Sequence, residues 1–238
     1  MKIILNPKYE FLREYLTHIE EHFDHEGKEI WRDRNVLRTL KVDGLTLVVK
    51  RYAQPSLTGR IATRIYRTSK GKKAYYRPLE LRERGFESPD PIAFVRYDKG
   101  WMRNTTYFVC LHSNYRYDMN HVGELPDGER RELISSFAHY AARLHEDGFL
   151  HRDFSADNIL FDKVNGKYHF ALIDTNSIRT GKPVSVERGC ANFARLGCNE
   201  KAYAELAHDY AAARGADPDR CAELIEKARE RYASGNGG

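Results

Sequence analysis

Long apolar runs are missing from this 238-residue sequence. No stretch approaches the ~20 apolar residues that a membrane-spanning helix requires. The opening Met1-Lys2-Ile3-Ile4-Leu5-Asn6-Pro7 is too short an apolar run for a secretory leader. A soluble, cytoplasmic protein is expected. Cysteine is scarce: Cys110, Cys190, Cys198 and Cys221 include no Cys-x-x-Cys pair, which excludes a secreted disulfide framework and reads as reduced thiols. Internal repeats and low-complexity tracts are lacking too, apart from a short tail at Gly235-Asn236-Gly237-Gly238. Nor is there a strong charge imbalance: the formal net charge is +5 with 31% charged residues, a mild basic excess that points only weakly to an anionic partner. No DNA partner is expected, and the oligomeric state is left open. What is present is enough apolar matter, 41% hydrophobic and 12% aromatic, for a sizeable core, so wholesale disorder is excluded.

The periodicities arrange this material into a strand-rich first half and a helical second half. Residues 1–24 read as a short strand and an amphipathic helix carrying Phe11, Leu12, Tyr15, Leu16, Ile19 and Phe23. Strand-like runs follow at Lys28 to Leu40 and Leu45 to Tyr52, joined at Val42-Asp43-Gly44, where Asp-Gly supplies the positive φ of a tight turn. Arg60 to Arg84 is basic and mainly helical, with Ser69 a candidate N-cap and Pro78 a candidate first residue of a second helix. Two paired strands are expected at Ile92 to Tyr97 and Thr105 to Leu111, then a polar, irregular stretch over 112–128. Glu129 to Asp147 is a strong helix with one apolar face, ended by Gly148. Strands at Phe149-Leu150, Asn158 to Asp162 and Tyr168 to Ile173 precede a helical remainder from about Phe193 to Tyr232.

The informative segment is Leu150-His151-Arg152-Asp153-Phe154-Ser155-Ala156-Asp157-Asn158-Ile159-Leu160, followed by a hairpin and by Ala171-Leu172-Ile173-Asp174. His-x-Asp, four residues, Asn, and then a second Asp after a hairpin resemble the catalytic core of the protein-kinase-like superfamily. Phosphoryl transfer is mostly positioning and charge neutralisation, so this spacing has a physical reading. Asp153 orients the acceptor hydroxyl and takes its proton. Asn158 and Asp174 hold Mg²⁺ against the phosphates of ATP. His151 braces the loop through backbone hydrogen bonds. Lys50, near the end of a β-rich run, resembles the lysine that pairs with the α and β phosphates. A lone His-Arg-Asp is common in sequences; the joint pattern is not.

The resemblance implies an α+β, two-lobed fold: a strand-rich N-lobe over 1–111 and a compact helical C-lobe over 112–238, together one domain. It implies further that Glu80, with Glu83 next, is the carboxylate partner of Lys50. Adenine is expected at the backbone around Cys110 to His112. No Gly-x-Gly-x-x-Gly loop is present, so Arg32-Asp33-Arg34-Asn35 is the candidate cover for the nucleotide. Ser155, Asp174-Thr175-Asn176 and the short remainder after Asp174 depart from the peptide kinases and are similar to the compact atypical ones. Within that group the chain resembles the lipopolysaccharide core kinases that phosphorylate Kdo or heptose. The stretches that carry this are Gly44 to Tyr52, Ser69 to Tyr75, Gly85 to Ala93 and Gly189 to Leu196. The expected reaction is ATP- and Mg-dependent phosphorylation of a sugar hydroxyl of the lipopolysaccharide core or a related glycolipid. An RIO-like atypical protein kinase and a nucleotide-binding pseudokinase scaffold are the alternatives. The basic run Arg60, Arg64, Arg67, Lys70, Lys72, Lys73 and Arg77 fits an anionic surface, giving peripheral attachment at the inner membrane, or a solvated helix face, or RNA.

Overall fold

A computed structural model describes residues 1–53, 60–99 and 103–235, the side chains of 60–69, 99 and 103–104 excepted. The chain forms two compact units, Met1–Glu83 with Ser88–Asn114, and Arg84–Glu87 with Tyr115–Gly238.

The first unit is built on a six-stranded antiparallel sheet. Its strands are β1 (Lys2–Leu5), β2 (Lys28–Arg32), β3 (Val36–Val42), β4 (Leu45–Tyr52), β5 (Pro91–Lys99) and β6 (Arg103–Leu111), in the order β1-β5-β6-β4-β3-β2. The run expected as one strand from Lys28 to Leu40 is two, because Asp33-Arg34-Asn35 turns the chain. The Asp33 N–H bonds the Asn35 carbonyl at 3.0 Å, and the Asn35 side chain accepts from the Ala53 N–H at 3.1 Å. The β3–β4 hairpin turns at Asp43-Gly44, both at positive φ (48° and 75°), as a two-residue loop of this kind requires.

Alternation decides what each sheet face meets. Leu47 and Val49 point into a core shared with Leu12, Leu16, Ile19 and Phe23 of the N-terminal segment. That segment is not one helix. A 3-10 turn at Pro7–Leu12, capped by Asn6, leads to α1 (Arg13–Thr17) and α2 (Ile19–His25), which break at His18 (φ −106°). At the break the Tyr97 hydroxyl donates to the Thr17 carbonyl. On the sheet's other face lies α3 (Arg60–Glu83), packed on β5 and β6. It continues through Pro78, so Ser69 is interior and neither a cap nor a second helix start exists. One lost hydrogen bond is outweighed by the burial of Ala74, Tyr75 and Leu81 around it.

The second unit is arranged around α4 (Asp127–Glu146), which starts two residues before the expected position. Its residues Leu133, Ile134, Phe137, Ala138, Ala141 and Leu144 are all buried. Gly148 ends it at φ 79°, and a Cβ there would also strike the Gly181 carbonyl. The stretch 112–128 carries β7 (Tyr117–Asp118) and a 3-10 turn. Strands β8 (Phe149–His151), β9 (Ile159–Val164), β10 (Lys167–Leu172) and β11 (Ile178–Thr180) make two small sheets, β10-β9-β7 and β11-β8. Three helices finish the unit: α5 (Val186–Asn192), α6 (Glu200–Arg214) and α7 (Pro218–Ala233). The ring of Phe137 packs against Phe154, Phe170 and Phe193, so one helix fixes the loop after β8, the β9–β10 hairpin and the end of α5 together. Between α4 and α6, Arg131 forks onto the buried Asp209. Burial pushes the Asp209 carboxyl up, but the hydrogen bonds from Arg131 and His208 prevail and hold it well below the usual range.

Gly189 of α5 leaves no room for a side chain, since an added Cβ would overlap the Tyr210 hydroxyl and crowd His145 Nδ1. Gly189→Ala is therefore expected to lower unfolding stability by about 1–3 kcal/mol, measured as a fall in the urea midpoint. Gly128→Ala, in open space in the first turn of α4, should be neutral or slightly stabilising.

Candidate active site

In the first unit, strand alternation puts Lys50 on the face that α3 covers, opposite the N-terminal helices. Its register neighbours are Leu37 on β3 and Phe108 on β6, and its ammonium lies 5.7 Å from the centre of the Tyr52 ring. Glu80 stands near the end of α3 and accepts from Arg77 one turn earlier. Cys110 and His112 sit at the end of β6 and just beyond it. Burial pushes the Cys110 thiol up to about 12, so it is a packing group and not a nucleophile. The N–H groups of Leu111 and His112 are committed to Asp90 and Thr46, at 2.9 and 2.8 Å. Arg32 to Asn35 form the β2–β3 tip, with Arg32 paired to Glu29.

In the second unit the expected residues converge. His151 is fully buried, and both ring nitrogens are used. Nε2 lies 3.0 Å from the Ile173 carbonyl, which can only accept, so Nε2 carries the proton. Nδ1 then accepts from the Asp153 N–H at 3.2 Å, and the Ser177 hydroxyl, which donates to the Asp174 carbonyl, also lies 3.2 Å from it. Burial lowers the His151 pKa against the opposing hydrogen bonds and charges, which matches this neutral form. The ring therefore ties the loop carrying Asp153 to the residue preceding Asp174.

Asn158 commits its amide N–H groups to the Asp153 carbonyl (3.0 Å) and the Ser155 hydroxyl (3.1 Å), which leaves the amide oxygen as its acceptor. The Asn158 carbonyl takes the Ile173 N–H at 3.1 Å, bringing Asp174 alongside. Asp174 adopts the left-handed region (φ 50°, ψ 40°), uncommon for a residue with a side chain, and its Oδ1 accepts from Asn176. Two oxygen donors suit a hard cation such as Mg²⁺, which takes its other ligands from phosphates and water. Among the described residues no group of three or more His, Cys, Asp or Glu side chains could hold a metal, so a cation here needs the nucleotide to complete its shell.

Residues that the sequence reading passed over also enter this site. Arg195, just after α5, donates to Asp153 Oδ1. Asn192 donates to the His151 carbonyl at 2.8 Å, and its side-chain oxygen lies 3.2 Å from His145 Nε2. The signal was the Gly189 to Leu196 stretch, noted for its resemblance alone and without a role for any side chain.

A small sheet-based unit with a lysine on its central strands, and a helical unit carrying a His-x-Asp loop and a hairpin that leads to Asp174, define a protein-kinase-like fold. The model of the Lipopolysaccharide kinase (Kdo/WaaP) family matches residues 32–199. The chain belongs to that family, and it is a kinase acting on lipopolysaccharide core. No curated protein matches it significantly. A solved structure of WaaP in complex with acyl carrier protein is similar over 97% of this chain and 99% of that one, with TM-score 0.68 and 16% identity. The crystal structure of WbdD matches 85% of this chain and 45% of its own, with TM-score 0.50 and 15% identity. At these identities the two structures support the fold alone. Among the described residues no helix is long and apolar enough to cross a membrane.

His145, fully buried on α4, is held by Tyr210 and Asn192, and burial lowers its pKa to about 4. Its folded pKa thus lies below the unfolded value of about 6.5, so the unfolded chain binds the proton first. The His145 contribution to stability is constant above that value and falls as pH drops from 6.5 towards 4. Thermal melts should show a falling midpoint from pH 7 to pH 5, and His145→Gln should flatten that slope, with His151 supplying what remains.

Proposed function

We propose that the chain transfers the γ-phosphoryl group of ATP, with Mg²⁺, to a sugar hydroxyl of the lipopolysaccharide core or a related glycolipid. The observation that carries this reading is the convergence of Asp153, Asn158 and Asp174 around the buried His151. Asp153 takes the acceptor proton. Asn158 and Asp174 hold the cation, whose charge offsets that of the phosphates. Lys50 is assigned to the α and β phosphates, with Glu80 as its carboxylate partner. The nucleotide base is assigned to the chain around Cys110 to His112, where the committed N–H groups leave carbonyls as the acceptors for an amino group. The β2–β3 tip is assigned as the cover over the phosphates. Lys70, Lys72 and Lys73 of α3 are the described cations that would meet an anionic leaflet, whereas Arg77 is largely buried and paired with Glu80; the side chains of Arg60, Arg64 and Arg67 lie outside the described residues.

Transfer of labelled γ-phosphate to purified lipopolysaccharide core, with protein as competing acceptor, tests the reading. Label on lipopolysaccharide supports it. Label on protein alone favours the RIO-like alternative, and nucleotide binding without any turnover favours the pseudokinase. Asp153→Asn should lower kcat by about 10²–10⁴-fold. Asp174→Asn should abolish Mg-dependent turnover while the protein stays folded by circular dichroism, because asparagine tolerates the left-handed backbone at this position.

A further inference from the structure

The backbone around Asp153 and its carboxylate are held by different means. The backbone is fixed twice over: the N–H on His151 Nδ1, the carbonyl under the Asn158 amide. Neither contact restrains the carboxylate, which sits at the surface of a loop with its side chain 37% exposed. Among the described residues, the group that bonds the carboxylate is the guanidinium of Arg195, through Oδ1. Arg195 is in turn held from behind by Tyr232, on the last turn of α7, with the guanidinium carbon 5.2 Å from the ring centre. The order Tyr232, Arg195, Asp153 thus runs from the C-terminal helix to the catalytic loop, entirely within the second unit.

Stability does not explain this arrangement. Both partners of the ion pair are more than a third exposed, and such pairs contribute little to folding. A planar guanidinium, however, can bond a carboxylate along one edge while its face lies on an aromatic ring, which a lysine ammonium cannot do. Phosphoryl transfer is sensitive to where the accepting oxygen points, because most of the catalysis lies in orientation.

We propose that Arg195 is a positioning residue for the phosphoryl transfer, clamping Asp153 by Oδ1 so that Oδ2 faces the acceptor hydroxyl, with Tyr232 holding the guanidinium in place. This rests on the reading of Asp153 as the group that receives the acceptor proton. In the reaction that proton moves to Asp153 Oδ2 as the acceptor oxygen bonds to the γ-phosphorus and the bond from that phosphorus to the departing ADP oxygen breaks. Arg195 keeps its proton and its charge throughout. The device is one of aim: the side chain that must point correctly is held by a residue from a distant element, which α7 secures.

The test uses the full chain with ATP, Mg²⁺ and lipopolysaccharide core, comparing wild type, Arg195→Gln, Arg195→Lys, Arg195→Ala, Tyr232→Ala and Asp153→Asn. Arg195→Gln should lower kcat by about 30-fold, while KM for ATP stays within about threefold. Its melting temperature should remain within about 2 °C of wild type, as removal of an exposed pair implies. Arg195→Lys should recover part of the rate, and methylguanidinium in the buffer should restore part of the Arg195→Ala turnover, which loss of a purely structural group would not allow. Tyr232→Ala should fall between wild type and Arg195→Gln in kcat. With Asp153→Asn inactive, an unchanged kcat in Arg195→Gln would overturn the role of Arg195 and leave the kinase reading intact. So would a rise in acceptor KM at constant kcat, which would make Arg195 a docking group. Full turnover in Asp153→Asn would instead overturn the reading on which the proposal stands.

Discussion

Two segments of the second unit, one carrying Asp153 and the other Asp174, meet at the ring of His151. The ring donates from Nε2 to the Ile173 carbonyl and accepts at Nδ1 from the Asp153 N–H, so a neutral imidazole satisfies buried backbone groups of both segments at once. Neither bond is strong alone; a typical one contributes about 1 kcal/mol. Left without its partner, each of those buried groups would instead carry a desolvation cost of about 1–3 kcal/mol. The proton on this ring is therefore part of the geometry. A second proton would turn the Nδ1 acceptor into a donor facing an N–H, and burial keeps it off.

Around that ring the unit is built in concentric dependence. Phe154, next to Asp153, is pinned by Phe137 of α4, which also holds Phe170 of the hairpin leading to Asp174. Asn192 at the end of α5 reaches the His151 carbonyl, and its other end meets His145 on α4. The apolar face of α4 is thus more than core filling: it sets the distance between the two carboxylate-bearing segments. Burial lifts the thiol of Cys110 to about 12 and that of the half-buried Cys198 to about 11, so neither is poised as a thiolate at neutral pH.

Much of this was legible in the sequence wherever the determinant is local. His151, Asp153 and Asn158 lie within one loop whose spacing is fixed by a single hydrogen-bonded turn, and Asp43-Gly44 and Gly148 announce their backbone by residue type. The losses are of two kinds. The turn at Asp33-Arg34-Asn35 has neither glycine nor proline, so two strands read as one. Pro78 looked like a helix boundary because propensity cannot weigh the burial of Ala74, Tyr75 and Leu81 against one missing hydrogen bond. Arg195 was missed for another reason: it reaches Asp153 across 42 positions of sequence, and no spacing rule connects a helix end to a loop so far upstream.

The partition of the chain has a consequence for how the molecule is held together. Residues Arg84–Glu87 belong to the second unit although the residues on either side belong to the first. They are anchored there by the parallel bridge from Glu87 to Ala171, by the Leu172 N–H on the Glu87 carbonyl, and by Arg143, which donates to the Gly85 carbonyl and lies over the Phe86 ring. The polypeptide therefore passes from one unit to the other three times, after Glu83, after Glu87 and after Asn114. A cut after Glu83 or after Glu87 leaves Ser88–Asn114 of the first unit covalently joined to the second, and a cut after Asn114 leaves Arg84–Glu87 on the fragment that carries the first unit. Unlike beads on a string, the units are interleaved along the chain, so no single cut yields both of them whole and free of the other's residues.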